Sequence, residues 1–344
     1  MGEVDGRMRY NSVQYGGSSG SSGSSGGSSG SVWSAVGGRG WHGVSRPVYV
    51  PDGEPDWRNK QGRVRGMADF VTYNAMYAAD AVRMSDVSHA FKGAVVGVQS
   101  AKQRRGEFDG PYRTRKTGHH TVVDFPAIGG QGKRGGPAAG VALLLPGQDI
   151  LYVAQILWPG DRQLQGRIGV VRLKKPDGRD MLLVVTYARP ESQGGELDAL
   201  NKKMWDWVRG VARGLPSRST TVVLTDANGH TGGGRHHRRR SGWTGERGRD
   251  GDEEIRGVGS VRGSKENKNG RLLREFCEDG GFAAVNTWWV GGSGETYFTV
   301  REGEDGVRKQ FSSRVDYVLV QSWDFKDVVD CKVLHREGLV LQNT

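Results

Sequence analysis

The stretch Val222-Val223-Leu224-Thr225-Asp226-Ala227-Asn228-Gly229-His230 decides how this chain reads. Its β-branched and aliphatic start is that of a buried strand, and Asp226 falls where the strand should stop. A polar pair, Asp226 and Asn228, then runs into glycine. Both residue types end strands in many proteins because their side chains make Asx turns, and taken alone the pair reads as a turn. The same groups also offer chemistry. A carboxylate can activate or orient a water, and a carboxamide can hydrogen-bond a phosphate oxygen.

Working outward from this strand, further apolar runs recur on both sides. Phe70–Asn74, Ala94–Val98, Thr121–Phe125, Gly140–Leu145, Ile150–Ile156, Ile168–Leu173 and Met181–Tyr187 precede it as expected strands. Phe282–Trp289, Thr296–Val300 and Ser313–Val320 follow it. Helices are predicted over 78–91, over 197–211, and over 271–279 before Gly280-Gly281, where a C-cap glycine belongs. The second carries Leu197, Leu200, Met204, Trp207, Val208 and Val211 at helical spacing. Strands come mostly in runs with few helices between them. That pattern predicts an α/β (α+β type) sandwich of two packed, mainly antiparallel sheets flanked by helices, four layers in all.

The ends and one loop differ in texture. Residues 1–66 contain the Gly/Ser repeat of 16–30 and are expected to be disordered, because such composition buries too little apolar surface to offset ordering. The single domain then runs over 67–344. It carries a Gly/Arg-rich insertion at about 230–269 that includes His236-His237-Arg238-Arg239-Arg240 and is also expected to be disordered. The paired histidines lack further ligands and read as a solvated loop rather than a metal site. The basic run suits nucleic acid or a nuclear address.

Composition narrows the class. The 344 residues carry a formal net charge of +11, with 56 glycines and two cysteines. The basic excess suits a polyanionic partner, and the scarce cysteines argue against a disulfide scaffold. No apolar run approaches the roughly 18 residues of a membrane span, and Met1–Asp5 has no signal-peptide layout. These features predict an intracellular protein with no membrane partner.

In its order of segments the chain resembles the endonuclease/exonuclease/phosphatase superfamily, with its DNase I-like fold, and most closely the retroelement-type endonuclease branch. Thr72-Tyr73-Asn74 resembles the opening strand whose Asn helps hold the metal, and Val95–Gln99 the second motif. Gly140–Leu144 is similar to the strand after the variable loop. Leu183–Pro190 is similar to the strand that ends in a phosphate-facing Tyr. Thr225–Asn228 stands where the family has Gly-Asp-x-Asn, and Ser313–Leu319 resembles its Ser-Arg-Ile-Asp-Tyr strand. That last strand argues against the phosphoinositide phosphatase branch, whose motif resembles Trp-Cys-Asp-Arg.

The resemblance implies Mg²⁺-assisted phosphodiester hydrolysis of DNA, and the protein is expected to be a monomer. Asp226 would orient the attacking water, Asn228 and Tyr187 would bond the phosphate, and Asn74 would help hold the metal. Asp316 would buttress a catalytic histidine further along. Independently of any family, a carboxylate between Val315 and Tyr317 in an apolar strand demands a partner, and Arg314 is a candidate. Two departures stand out. The family's metal-ligating Glu is replaced by Ser100, with Glu107 and Asp109 only loop neighbours, and the sequence reaches Thr344 before the family's Ser-Asp-His motif. His335 comes too early to replace it. The reading is therefore of an endonuclease lineage with weak or absent catalysis here, or of a non-catalytic nucleic-acid-binding descendant.

Overall fold

A computed structural model describes residues 8–13, 68–74, 81–101, 110–127, 139–147, 149–174, 180–191, 196–216, 219–232, 257–259, 265–288, 295–302 and 308–334. The basic run at 236–240, Glu107, Asp109 and His335 lie outside these residues. Among those described, no helix is long and apolar enough to cross a membrane.

The expected sandwich is what the chain forms. One sheet is built from β1 (Met8–Val13), β2 (Ala68–Asn74), β3 (Val95–Gln99), β4 (Arg113–Thr117), β5 (His120–Phe125), β6 (Val141–Pro146) and β16 (Val328–Leu334). Its order is β16-β1-β2-β3-β6-β5-β4, parallel from β16 to β3 and antiparallel beyond. The other sheet holds β7 (Val153–Leu157), β8 (Ile168–Lys174), β9 (Asp180–Tyr187), β10 (Thr220–Asp226), β11 (Gly257–Val258), β12 (Phe282–Ala284) and β15 (Asp316–Gln321). It runs β11-β12-β15-β10-β9-β8-β7, antiparallel except at β10–β9 and β11–β12. A separate hairpin joins β13 (Tyr297–Glu302) to β14 (Arg308–Ser313).

Three apolar clusters glue four layers. Phe70, Val123, Leu143, Val185, Leu224 and Val318 meet between the sheets. On the outer face of the first sheet, helix α1 (Ala81–Ala90) contributes Met84 and Val87 against Val71, Val96 and Leu144. Helices α2 (Glu196–Arg213) and α3 (Lys268–Gly280) cover the other outer face through Met204, Trp205, Val208, Leu273 and Phe276. Each such side chain contributes roughly 1.5–3 kcal/mol by leaving water. Both faces of β10 are covered in this way, which is why its sequence is continuously apolar rather than alternating.

The two sheets approach closely at Gly97. A Cβ there would sit 2.5 Å from the Cβ of Leu224, so only glycine lets β3 rest on β10. Gln99 then spans the gap, donating from Nε2 to the Thr72 hydroxyl at 3.0 Å and to the Leu224 carbonyl at 3.2 Å. This approach carries the ends of β2 and β3 to the end of β10.

Some expectations need correction. Met8–Val13 falls in the stretch read as disordered, yet forms a strand between β2 and β16; the rest of 1–66 is outside the described residues. Asp149–Tyr152 and Val285–Thr287 are 3₁₀ turns, not the strands expected there, because an apolar run signals burial without fixing backbone type. Trp205, rather than Trp207, is the fully packed tryptophan of α2.

Candidate functional site

The register of the strands gathers the polar residues at one end of the sandwich. Asp226 and Tyr187 are paired at the C-terminal ends of parallel β10 and β9, and Asn74 and Gln99 at those of parallel β2 and β3. Asp316 opens β15 directly opposite Asp226 in the antiparallel pair. Thus Asn74, Ser100, Tyr187, Asp226, Asn228 and Asp316, drawn from both sheets, converge.

Asp226 is 1% exposed and held from two directions. The Asn74 side chain donates from Nδ2 to Asp226 Oδ2 at 2.5 Å, across the sheets. The Asn228 backbone N–H donates to Asp226 Oδ1 at 2.9 Å, which is an Asx turn. The turn reading of the Asp-x-Asn pair is therefore right, and it does not compete with a site: the turn fixes the carboxylate. Asn228 adopts φ 45°, and its Nδ2 donates to the Ala188 carbonyl at 2.8 Å. Ser100, with φ 54°, is the other non-glycine residue in the left-handed region among the described residues. Both backbone exceptions flank the same carboxylate, as stored strain at built sites does.

The Ser100 and Asn228 side chains lie near the Tyr187 hydroxyl and draw its pKa down a little. Burial, and secondarily the Asp226 charge, push this phenol up to about 12, so it stays a proton donor. Ser100 therefore occupies its position as a neutral hydroxyl beside Tyr187.

Asp316 is the least compensated group here. It is 1% exposed, and neither carboxylate oxygen has a hydrogen-bond partner, Arg314 included. The Thr296 hydroxyl accepts from the Val315 and Asp316 backbone N–H groups at 3.0 and 3.1 Å, and draws the carboxyl down a little without reaching bonding geometry. Burial dominates and raises Asp316 to about 7. Asp226 is raised well above the ordinary carboxylate range, by burial first and by the Asp316 charge second. Two buried acids facing each other cannot both ionise cheaply, and hold a proton between them more readily than two charges.

A lattice of asparagines, missed from sequence, locks the surrounding loops. Asn201 of α2 accepts from the Arg189 N–H at 2.9 Å, and its Nδ2 donates to the Arg189 carbonyl and to Asn269. Asn269 donates to the Arg189 and Asn228 carbonyls at 2.7 and 3.1 Å. Asn267 caps α3, its Oδ1 accepting from the N–H groups of Gly270 and His230. A Cβ at Gly270 would lie 1.9 Å from the His230 carbonyl, so glycine is required where the loop rests on the helix. Asn201 interrupts the apolar face of α2, which is the one signal that pointed to it. Arg167, buried against Tyr187, was also missed.

The donors present do not suit Mg²⁺. A hard cation takes several oxygen ligands, carboxylates foremost. Here one carboxylate is spent on Asn74 and the Asn228 N–H, Ser100 offers only a neutral hydroxyl, and no group of three or more His, Cys, Asp or Glu residues converges among the described residues.

No family model matches the sequence, and no curated protein matches it significantly. Solved structures do. The chain is similar to the AP endonuclease LMAP of Leishmania major, with 16% identity over 74% of this chain and 78% of that one and a TM-score of 0.45. It is similar to the catalytic domain of Xenopus laevis APE2, with 11% identity over 75% and 83% and a TM-score of 0.46. It is also similar to the Neisseria 3′ phosphatase NExo bound to a product DNA hairpin, with 11% identity over 74% and 87% and a TM-score of 0.41. Likeness at this level is one of overall shape; the site stands on its own geometry.

Proposed function

We propose that the chain is an endonuclease-like phosphodiesterase-fold protein of retroelement origin whose lineage nicks DNA, with weak or absent hydrolysis here. The observation that supports this most is the convergence of Asn74, Tyr187, Asp226, Asn228 and Asp316 at one strand-end cluster, in the order of the family motifs they resemble. In this reading a phosphate lies against the Tyr187 hydroxyl and the Asn228 amide, and Asp226 faces the attacking water. The weakness follows from the same cluster. Ser100 supplies no carboxylate, and Asp316 has no imidazole partner among the described residues. Loss of general-base assistance alone removes roughly 10²–10⁴-fold.

A second reading has specific support. A site that retains phosphate-facing donors while its acids are buried and raised can bind nucleic acid without cutting it. Supercoiled plasmid incubated with the full chain and Mg²⁺ is expected to remain un-nicked while being retained at low salt, with retention reduced on deleting residues 235–240. Robust nicking that disappears in Asp226→Ala would overturn the inactive reading. Absence of retention at low salt would remove the nucleic-acid one.

A further inference from the structure

One guanidinium, that of Arg167, lies over the Tyr187 ring, a second, that of Arg189, lies near enough to act on the first, and neither forms an ion pair among the described residues. Arg167 is only 2% exposed, and its guanidinium carbon lies 5.7 Å from the centre of the Tyr187 ring. The two residues are tied twice. Arg167 Nη1 donates to the Tyr187 carbonyl at 3.3 Å, and the Tyr187 N–H donates to the Arg167 carbonyl at 2.9 Å. Arg167 Nε is buried with no acceptor. Burial and the nearby Arg189 charge lower its pKa to about 10.

Arg189 is half-buried, and its backbone is pinned by Asn201 and Asn269. Neither guanidinium forms an ion pair among the described residues. A buried cation beside a second cation, with no carboxylate, is costly unless an anion completes the set. The planar fork of arginine matches a phosphate. The pair also sits one strand from Asp226, since Tyr187 is its register partner on β9.

We propose that Arg167 and Arg189 form a second anion subsite against Tyr187, taking a backbone phosphate that flanks the one at Asp226 and Asn228. The protein thereby selects a polynucleotide strand over an isolated phosphoester. This rests on the phosphodiester reading above. Arg189 touches the phosphate. Arg167 is a positioning residue: it holds the Tyr187 ring and supplies positive potential from behind.

The test uses the full chain and a fluorescein-labelled single-stranded oligonucleotide, titrated over a range of salt. Arg189→Ala should weaken binding at least about tenfold, as loss of a charge-assisted bond does. It should also reduce the slope of log Kd against log salt by about 0.7, one phosphate contact on a single strand. Arg167→Met should weaken binding, and Arg167→Lys should restore part of it, which a purely structural role does not predict.

A second measurement separates this proposal from the reading it rests on. Inorganic pyrophosphate should shift the Arg167 and Arg189 Nε–Hε resonances, assigned by their loss in the two Lys variants. Those shifts without oligonucleotide binding would keep the subsite and sink the nucleic-acid reading. Oligonucleotide binding with unchanged affinity and slope in Arg189→Ala, or pyrophosphate that shifts neither resonance, would overturn the subsite.

Discussion

Asp124 on β5 of the first sheet and Asp316 on β15 of the second are buried alike, at 0% and 1% exposure, and the chain treats them oppositely. Asp124 receives the Arg115 Nε at 2.7 Å and lies 3.6 Å from Arg113 Nη2, both supplied by the neighbouring edge strand β4. Asp316 faces another acid, and its own oxygens are left without a partner. The first acid is neutralised locally and serves the hairpin. The second is kept uncompensated in a place where stability alone would favour leucine. Equal burial with unequal compensation is the physical mark that separates a scaffold carboxylate from a site carboxylate.

The contrast can be broken most forcefully at β4. Arg115→Met removes the 2.7 Å partner of Asp124 and should destabilise the protein by about 3 kcal/mol, as breaking a buried pair does. Chemical denaturation at neutral pH measures it, and a change near zero would mean that Asp124 is not held by its ion pair.

Asp316→Asn should do the opposite, raising stability by about 2 kcal/mol at pH 8 through removal of an unpaired buried charge. Its pH dependence has a definite sign. A carboxyl whose folded pKa is raised, here to about 7, stabilises the fold below its unfolded value and loses that contribution as pH climbs through the folded one. Wild type and Asp316→Asn should therefore match near pH 4 and diverge steadily towards pH 8. Parallel stability curves across that range would show that Asp316 carries no such proton.

The smallest effect sharpens the comparison from the loop side. Asn267→Ala removes the α3 cap and one anchor of the His230 backbone, at a cost of about 1 kcal/mol. Faster hydrogen exchange confined to the 228–232 loop and the first turn of α3 should accompany it.

Much of the frame was legible because buried strands write continuous apolar runs. Val222–Leu224, Leu143–Leu145 and Leu182–Val185 left little choice of conformation. The polar edge strand Arg113–Thr117 left no such trace, since two of its five residues face water and none is fully buried. Met8–Val13 is likewise invisible locally, because its partners lie at 68–73 and 328–334. At the site, Asp226 and Asn228 were readable as short polar groups closing an apolar strand, and Asp316 as a charge with no business in its surroundings. Arg167 and Asn269 were not readable, and Asn201 showed only as a polar break in the apolar face of α2. Apart from the Asn201–Asn269 pair, their partners are backbone groups and a ring face, which are present everywhere in a chain and single out no position.

The placement of β1 bears on how the molecule is made. Among the described strands β16 pairs only with β1, so the final described strand joins its sheet through the first. During synthesis Met8–Val13 leaves the ribosome more than three hundred residues ahead of Val328–Leu334. One edge of β1 must therefore wait, unpaired, until Val328–Leu334 has been made. Closing so long a loop is slow, and an open parallel edge is sticky in the meantime. Recombinant versions trimmed of the Gly/Ser head back to residue 67 would lose the mooring altogether and should be the first to precipitate.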